Sequence, residues 1–158
     1  MTIAMDARAV FFVADDAVAD ETGGIQAVGV GRRVVRLGED GQTPPLTLAA
    51  LIDIPARYAG QDFVVAVELR SPETGEVVEL PDINGAPGPF RIEQVVRAET
   101  GNFEGRDLPA DLGARVQFLL GVPAGVPLEA GRTYRWFLEI DGRHDGAWTL
   151  PMYVAPGS

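Results

Sequence analysis

Apolar and polar residues alternate with a period of two along several short stretches of this chain. In Phe63-Val-Val-Ala-Val-Glu-Leu-Arg70, the residues Phe63, Val65, Val67 and Leu69 share one side, while Glu68 and Arg70 share the other. In Tyr134-Arg-Trp-Phe-Leu-Glu-Ile140, the side holding Tyr134, Trp136, Leu138 and Ile140 is apolar; Arg135, Phe137 and Glu139 lie opposite. No stretch carries an apolar stripe of helical period over three turns. The pattern predicts strands over 8–14, 25–36, 46–53, 62–70, 76–80, 89–97, 114–120, 132–140 and 147–154. Single helical turns are expected at Ala17 to Asp20 and at Pro55 to Ala59.

Turn signals fall between these stretches. Gly23-Gly24, Asp40-Gly41, Pro44-Pro45, Thr74-Gly75, Asn84-Gly85, Thr100-Gly101, Asp141-Gly142 and Asp145-Gly146 all read as turns. The 25–36 stretch loses its phase at Gly29 and Gly31, which predicts a bulge or a bend from one sheet to another. Two connections, 81–88 and 98–113, are long for a compact β-domain. Many short strands with no alternating helices predict an all-β fold, an antiparallel sandwich or barrel of about eight or nine strands with two long loops. At 158 residues the chain is read as one domain over 1–158.

The run Leu128-Glu-Ala-Gly-Arg-Thr-Tyr-Arg-Trp-Phe-Leu-Glu-Ile-Asp-Gly142 resembles the penultimate strand of immunoglobulin-like sandwiches. That resemblance implies a tyrosine corner at Tyr134, whose hydroxyl would bond to upstream backbone. The cysteine pair of antibody domains is missing, so the likeness is to the broader immunoglobulin-like group. The chain also resembles a family of small uncharacterised β-sandwich proteins of actinobacteria. The likeness rests on Val13-Ala-Asp-Asp-Ala17, Gly24-Ile-Gln-Ala-Val-Gly-Val-Gly31, Leu46-Thr-Leu-Ala-Ala-Leu-Ile-Asp-Ile-Pro55, Phe63-Val-Val-Ala-Val-Glu-Leu69 and Gly131 to Gly142. It implies architecture and no catalytic site; the 98–113 loop departs from it.

Composition narrows the chemistry. There is no cysteine, so disulfides, thiolate metal sites and cysteine nucleophiles are absent. His144 is the only histidine, and Ser71 and Ser158 are the only serines. The formal net charge is −10, and all 13 basic residues are arginine. Such a chain repels nucleic acid unless its cations cluster. The one dense basic stretch, Arg32-Arg33-Val-Val-Arg36, is short and is followed by Glu39 and Asp40. The apolar run Ala9 to Ala14 falls far short of the roughly 20 residues that span a bilayer. The opening residues show no signal-peptide pattern, so the expected location is cytoplasm or virion.

The motifs with chemical meaning are weak. Gly29-Val-Gly-Arg-Arg-Val34 lacks the third small residue and the following helix of a dinucleotide fingerprint. Asp15, Asp16, Asp20 and Glu21, and separately Asp141 and Asp145, could offer oxygens to Ca²⁺, but lack the spacing of a calcium loop and read as turn charges. His144, between two Asp-Gly pairs, reads as an exposed turn residue with no serine placed beside it.

The aromatic and aliphatic residues carry more. Phe137 lies opposite Trp136, Leu119 opposite Phe118 and Tyr153 opposite Met152, so the late strands are apolar on both faces. With Phe103 of the long loop, Phe137, Leu119 and Tyr153 are the interaction candidates. The expected function is a non-catalytic structural or protein-interaction module, with no cofactor or metal, no nucleic acid and no membrane. Its partners would be other protein chains, as a homo-oligomer or in a larger assembly such as a capsid-decorating or other accessory virion protein of an actinobacterial phage. The alternative is a carbohydrate- or small-ligand-binding sandwich, using Tyr58, Phe103 and Trp148 as platforms beside Asn102 and Asp62. An enzyme would need carboxylates converging on His144.

Overall fold

A computed structural model describes residues 2–71, 73–81 and 86–156. After a short helix, α1 (Ile3–Asp6), the chain runs through β1 (Arg8–Ala14), β2 (Asp16–Ala19), β3 (Ile25–Val28), β4 (Val34–Arg36), β5 (Leu46–Ile54) and β6 (Asp62–Arg70). It continues with β7 (Glu79–Pro81), β8 (Pro87–Pro89), β9 (Arg91–Arg97), β10 (Asn102–Phe103) and β11 (Arg106–Asp107). The last strands are β12 (Ala114–Val122), β13 (Thr133–Ile140) and β14 (Arg143–Ala155). The fold is all-β.

Two sheets share one core. The first has the order β1-β5-β12 and the second β4-β14-β13-β6-β9. All pairs are antiparallel except β4, which lies parallel to β14. Alternation decides which side chains face inward. Leu48, Ala50 and Ile52 of β5 meet Val65, Val67 and Leu69 of β6, and Trp136, Leu138 and Ile140 of β13, in one buried cluster. β5 and β6 lie at or near the middle of their sheets, so their apolar faces are sealed from water, where each aliphatic side chain contributes roughly 1.5–3 kcal/mol.

Local differences from the sequence reading have physical causes. Residues 16–19 form a strand, not a helical turn, because β3 pairs with them in register from Asp16↔Val28 to Ala19↔Ile25. The 25–36 stretch is divided: β3 joins this small ribbon and β4 joins the second sheet, with Gly29 and Gly31 at φ 70° and 80° in the crossing between them. Pro55 to Ala59 holds a short 3-10 turn over Ala56–Tyr58. Of the 81–88 loop, 82–85 lie outside the described residues, and β8 pairs with β7 through Pro81↔Pro87 and Glu79↔Pro89. The 98–113 connection contains the β10–β11 hairpin and a second 3-10 turn, Ala110–Leu112. Among the described residues no helix is long and apolar enough to cross a membrane.

Tyr134 is buried, and its hydroxyl accepts a hydrogen bond from the Glu129 N–H at 3.2 Å. Nearby, the 122–126 turn docks on Thr43: the Thr43 N–H donates to Val126 O at 3.0 Å, and Thr43 Oγ1 accepts from the Val126 N–H at 2.9 Å. Gly125 makes this approach possible. Its φ is 70°, and a Cβ there would overlap the Thr43 carbonyl oxygen. Gly125→Ala should therefore lower stability by at least the ~1–3 kcal/mol of a strained left-handed residue. A shift in the urea midpoint checks this; an unchanged midpoint would show that the turn relaxes freely.

Candidate functional site: the outer face of the five-stranded sheet

The inward alternation of β6 and β13 places their other residues on one outer face. Glu68, Arg70, Arg135, Phe137 and Glu139 all lie there, joined by Arg91 and Glu93 from β9. Register sets the neighbours: Glu68 stands opposite Arg91 on one side and Phe137 on the other, and Phe137 stands opposite Thr149 of β14.

One guanidinium organises this face. Arg91 donates to Glu68, to Glu139 through Nη1 and Nη2 at 3.1 and 3.0 Å, and to Glu93 through Nε at 2.8 Å. Arg70 Nε donates to the other oxygen of Glu68 at 2.8 Å. Glu68 is the most enclosed of these groups, with its side chain 7% exposed, and it has a guanidinium on each oxygen. A carboxylate this buried is tolerated because it is doubly paired. Hydrogen bonding from Arg91 holds the Glu139 carboxyl below its ordinary value of 4.5, against the opposing effect of burial; the charges of Arg91, His144 and Arg70 add to the lowering. The Arg91 guanidinium is in turn shifted upward, first by its bond to Glu139.

His144 belongs to this group, not to a turn. The hairpin turn consists of Asp141 and Gly142, at φ 44° and 81°, the pair of left-handed residues a two-residue hairpin requires. Asp145 and Gly146 lie within β14. Between Phe137↔Thr149 and Glu139↔His144 the strand β13 advances two residues and β14 five. This bulge reverses the phase of β14, so Trp148 is buried while His144 lies outside. His144 Nε2 is 3.0 Å from Glu139 Oε2, and its ring meets Phe137 edge-on at 5.8 Å. Arg70 stacks on Phe137, 4.5 Å from the ring centroid.

Compared with known proteins, the chain matches no family model and no curated protein. The arrangement of its own residues is therefore the basis for any functional reading.

The four interaction candidates are divided. Phe137 and Tyr153 share the outer face of the five-stranded sheet, where Tyr153 pairs in register with Thr133 and Val34. Leu119 lies on the outer face of the other sheet and is half-buried. The β2–β3 ribbon reaches this same face, with the Asp20 and Gly24 carbonyls accepting from Gln117 Nε2 at 2.9 and 2.7 Å. Phe103 sits in the β10–β11 hairpin, where Glu104 and Gly105 make the turn.

The proposed ring platforms do not assemble. Tyr58 is buried and donates its hydroxyl proton to Asp6 at 2.7 Å, and Trp148 is buried under Arg143. Asp62 pairs with Arg97, while Asn102 belongs to the β10–β11 hairpin. The acidic residues form turns and pairs. Asp20 Oδ1 accepts from the Thr22 and Gly24 N–H groups, Asp15 binds Arg32, and Asp141 Oδ1 accepts from the Val64 N–H. Asp145 Oδ1 accepts from the Ala147 N–H inside the bulge. Among the described residues no three His, Cys, Asp or Glu side chains are grouped to hold a metal ion.

Sequence reasoning missed Glu68, Glu93, Glu139, Arg70 and Arg91 as a unit. The signal was available in the polar positions of β6, β9 and β13, but combining it required the register between strands.

Because Glu139 titrates lower in the folded chain than its ordinary value, its contribution is fully present above that value and is lost as pH falls toward the folded one. Arg91→Leu should cost about 2–3 kcal/mol at neutral pH, the scale of charged hydrogen bonds lost from enclosed carboxylates. It should also flatten the acid limb of the stability–pH curve. Urea unfolding of both chains across the acid range checks both effects; parallel curves would refute the assignment.

Proposed function

We propose that this protein is a non-catalytic interaction module built on an immunoglobulin-like sandwich. Its working surface is the outer face around Phe137, Arg135 and Tyr153. The observation that carries the reading is the fixed aromatic–arginine arrangement: Phe137 held between Arg70 and His144 above a closed network of charges. Aromatic and arginine side chains dominate binding energy at protein interfaces. Side chains already locked by their neighbours lose less freedom when a partner docks.

The charge state of the face favours binding over acid–base chemistry. A general acid needs a carboxyl whose pKa is raised toward the working pH; Glu139 is shifted the other way. Two features favour the sandwich type: the two sheets over one core, and the return of the Tyr134 hydroxyl to the Glu129 backbone. The partners are protein chains, either copies of this one or members of a larger assembly such as a virion.

The test places a photo-crosslinking side chain at Arg135 or Tyr153, with the exposed Leu112 as control. The chain is expressed in cells that make the protein. Adducts to a protein chain of defined mass are expected from the two face positions and not from Leu112. Equal adducts at all three positions, or none from the face, would overturn the reading.

A further inference from the structure

The first and second sheets do not close evenly along the edge formed by β1 and β4. β4 pairs only with Tyr153, Val154 and Ala155 at the end of β14. The chain then returns through Pro44-Pro45, which have no N–H to offer an edge strand. A cavity of about 610 Å³ remains between these elements. Its wall is apolar and includes Val13, Val35, Pro44, Pro45, Leu46 and Met152. Its charged lining residues are Asp15, Arg32 and Arg36.

These charges are unequal. Arg32 and Asp15 form a two-pronged pair, Nε to Oδ1 at 2.8 Å and Nη2 to Oδ2 at 2.9 Å, and neutralise each other. Arg36 is exposed and has no ion-pair partner among the described residues. A protein with a net charge of −10 thus places, beside an apolar cavity, an arginine with no ion-pair partner among the described residues. The volume lies within the range of small-molecule sites, which combine an apolar wall with a few placed polar groups.

We propose that this cavity binds a small amphipathic carboxylate, with its hydrocarbon body against Val13, Val35, Leu46 and Met152 and its carboxylate on Arg36. A neutral hydrocarbon would leave the guanidinium unused. A sugar or free phosphate would leave the apolar wall wet. A carboxylate with an aliphatic tail satisfies both, because the tail leaves water while the head receives charge-assisted hydrogen bonds in the planar geometry arginine offers. This site is separate from the Phe137 face and does not depend on the interaction reading.

The experiment is calorimetric titration of the full chain with dodecanoate below its micelle concentration, with dodecylammonium as the probe of opposite charge. Saturable one-to-one binding of dodecanoate is expected, with dodecylammonium weaker by about tenfold or more, the equivalent of one charged contact. Arg36→Glu should weaken dodecanoate by at least about tenfold. Val35→Phe should fill the cavity and abolish binding. Pro45→Trp, at an exposed position of the wall, should do the same without touching the core. Absence of saturable binding, equal binding of the two probes, or binding indifferent to both Arg36→Glu and Pro45→Trp would overturn the proposal.

Discussion

Burying one face of β6 and β13 forces their remaining side chains into a single outer plane, and on that plane lie two carboxylates that water alone does not solvate. Glu68 is enclosed by its neighbours, and Glu139 is nearly so. Arg91 resolves this conflict from the adjacent strand by engaging both, with Glu93 beside it. The core and the charge network are therefore two consequences of one alternation. Loss of the register between β6 and β9 would unseat the guanidinium and the apolar residues together, because a one-residue slip moves every side chain to the opposite face.

The same logic extends to the end of the sheet. The bulge in β14 keeps Trp148 in the core while turning His144 outward to Glu139 and Phe137. Without the phase reversal, one of these two residues would face the wrong side. Arg143, at the start of the strand, is drawn to the α1 segment, where its Nη1 donates to the Ala4 carbonyl at 2.6 Å while the guanidinium covers Trp148. The bulge thus couples the hairpin, the core and the N-terminal segment.

How much of this was legible depends on whether the information was local. β1, β5, β6, β12 and β13 are visible as alternating or continuously apolar runs, because each buries a face along its own length. β2 was invisible: Asp-Ala-Val-Ala has no strong strand preference, and only its pairing with β3 makes it extended. β8 was hidden by its two prolines, which are tolerated because that ribbon is short and peripheral. Two identical turn signals flank His144, yet only Asp141-Gly142 turns the chain. Nothing local distinguishes them, since the choice follows from which register buries Trp148. The residues of the charged face were each readable as outward-facing; their convergence was not, because register is a property of strand pairs.

The arginines show how an acidic chain divides labour among its few cations. Arg70, Arg91, Arg97, Arg115 and Arg143 are each committed to a carboxylate on the same strand or a neighbouring one. The pairs of Arg91, Arg97 and Arg115 bridge neighbouring strands, Arg70 and Arg143 also cover the Phe137 and Trp148 rings, and enclosed pairs resist salt far better than exposed ones. Within 32–36 only Arg32 is committed; Arg36 stands beside an apolar cavity and, like Arg8, Arg33, Arg106 and Arg135, has no ion-pair partner among the described residues. On the outer face Arg70, Arg91, Glu68 and Glu139 satisfy one another, while the Arg135 guanidinium donates to Thr149 Oγ1 at 3.3 Å and has no ion-pair partner among the described residues. The β1–β4 edge sets Arg36 beside an apolar wall, so one surface is organised around a charge network and the other around exposed hydrocarbon.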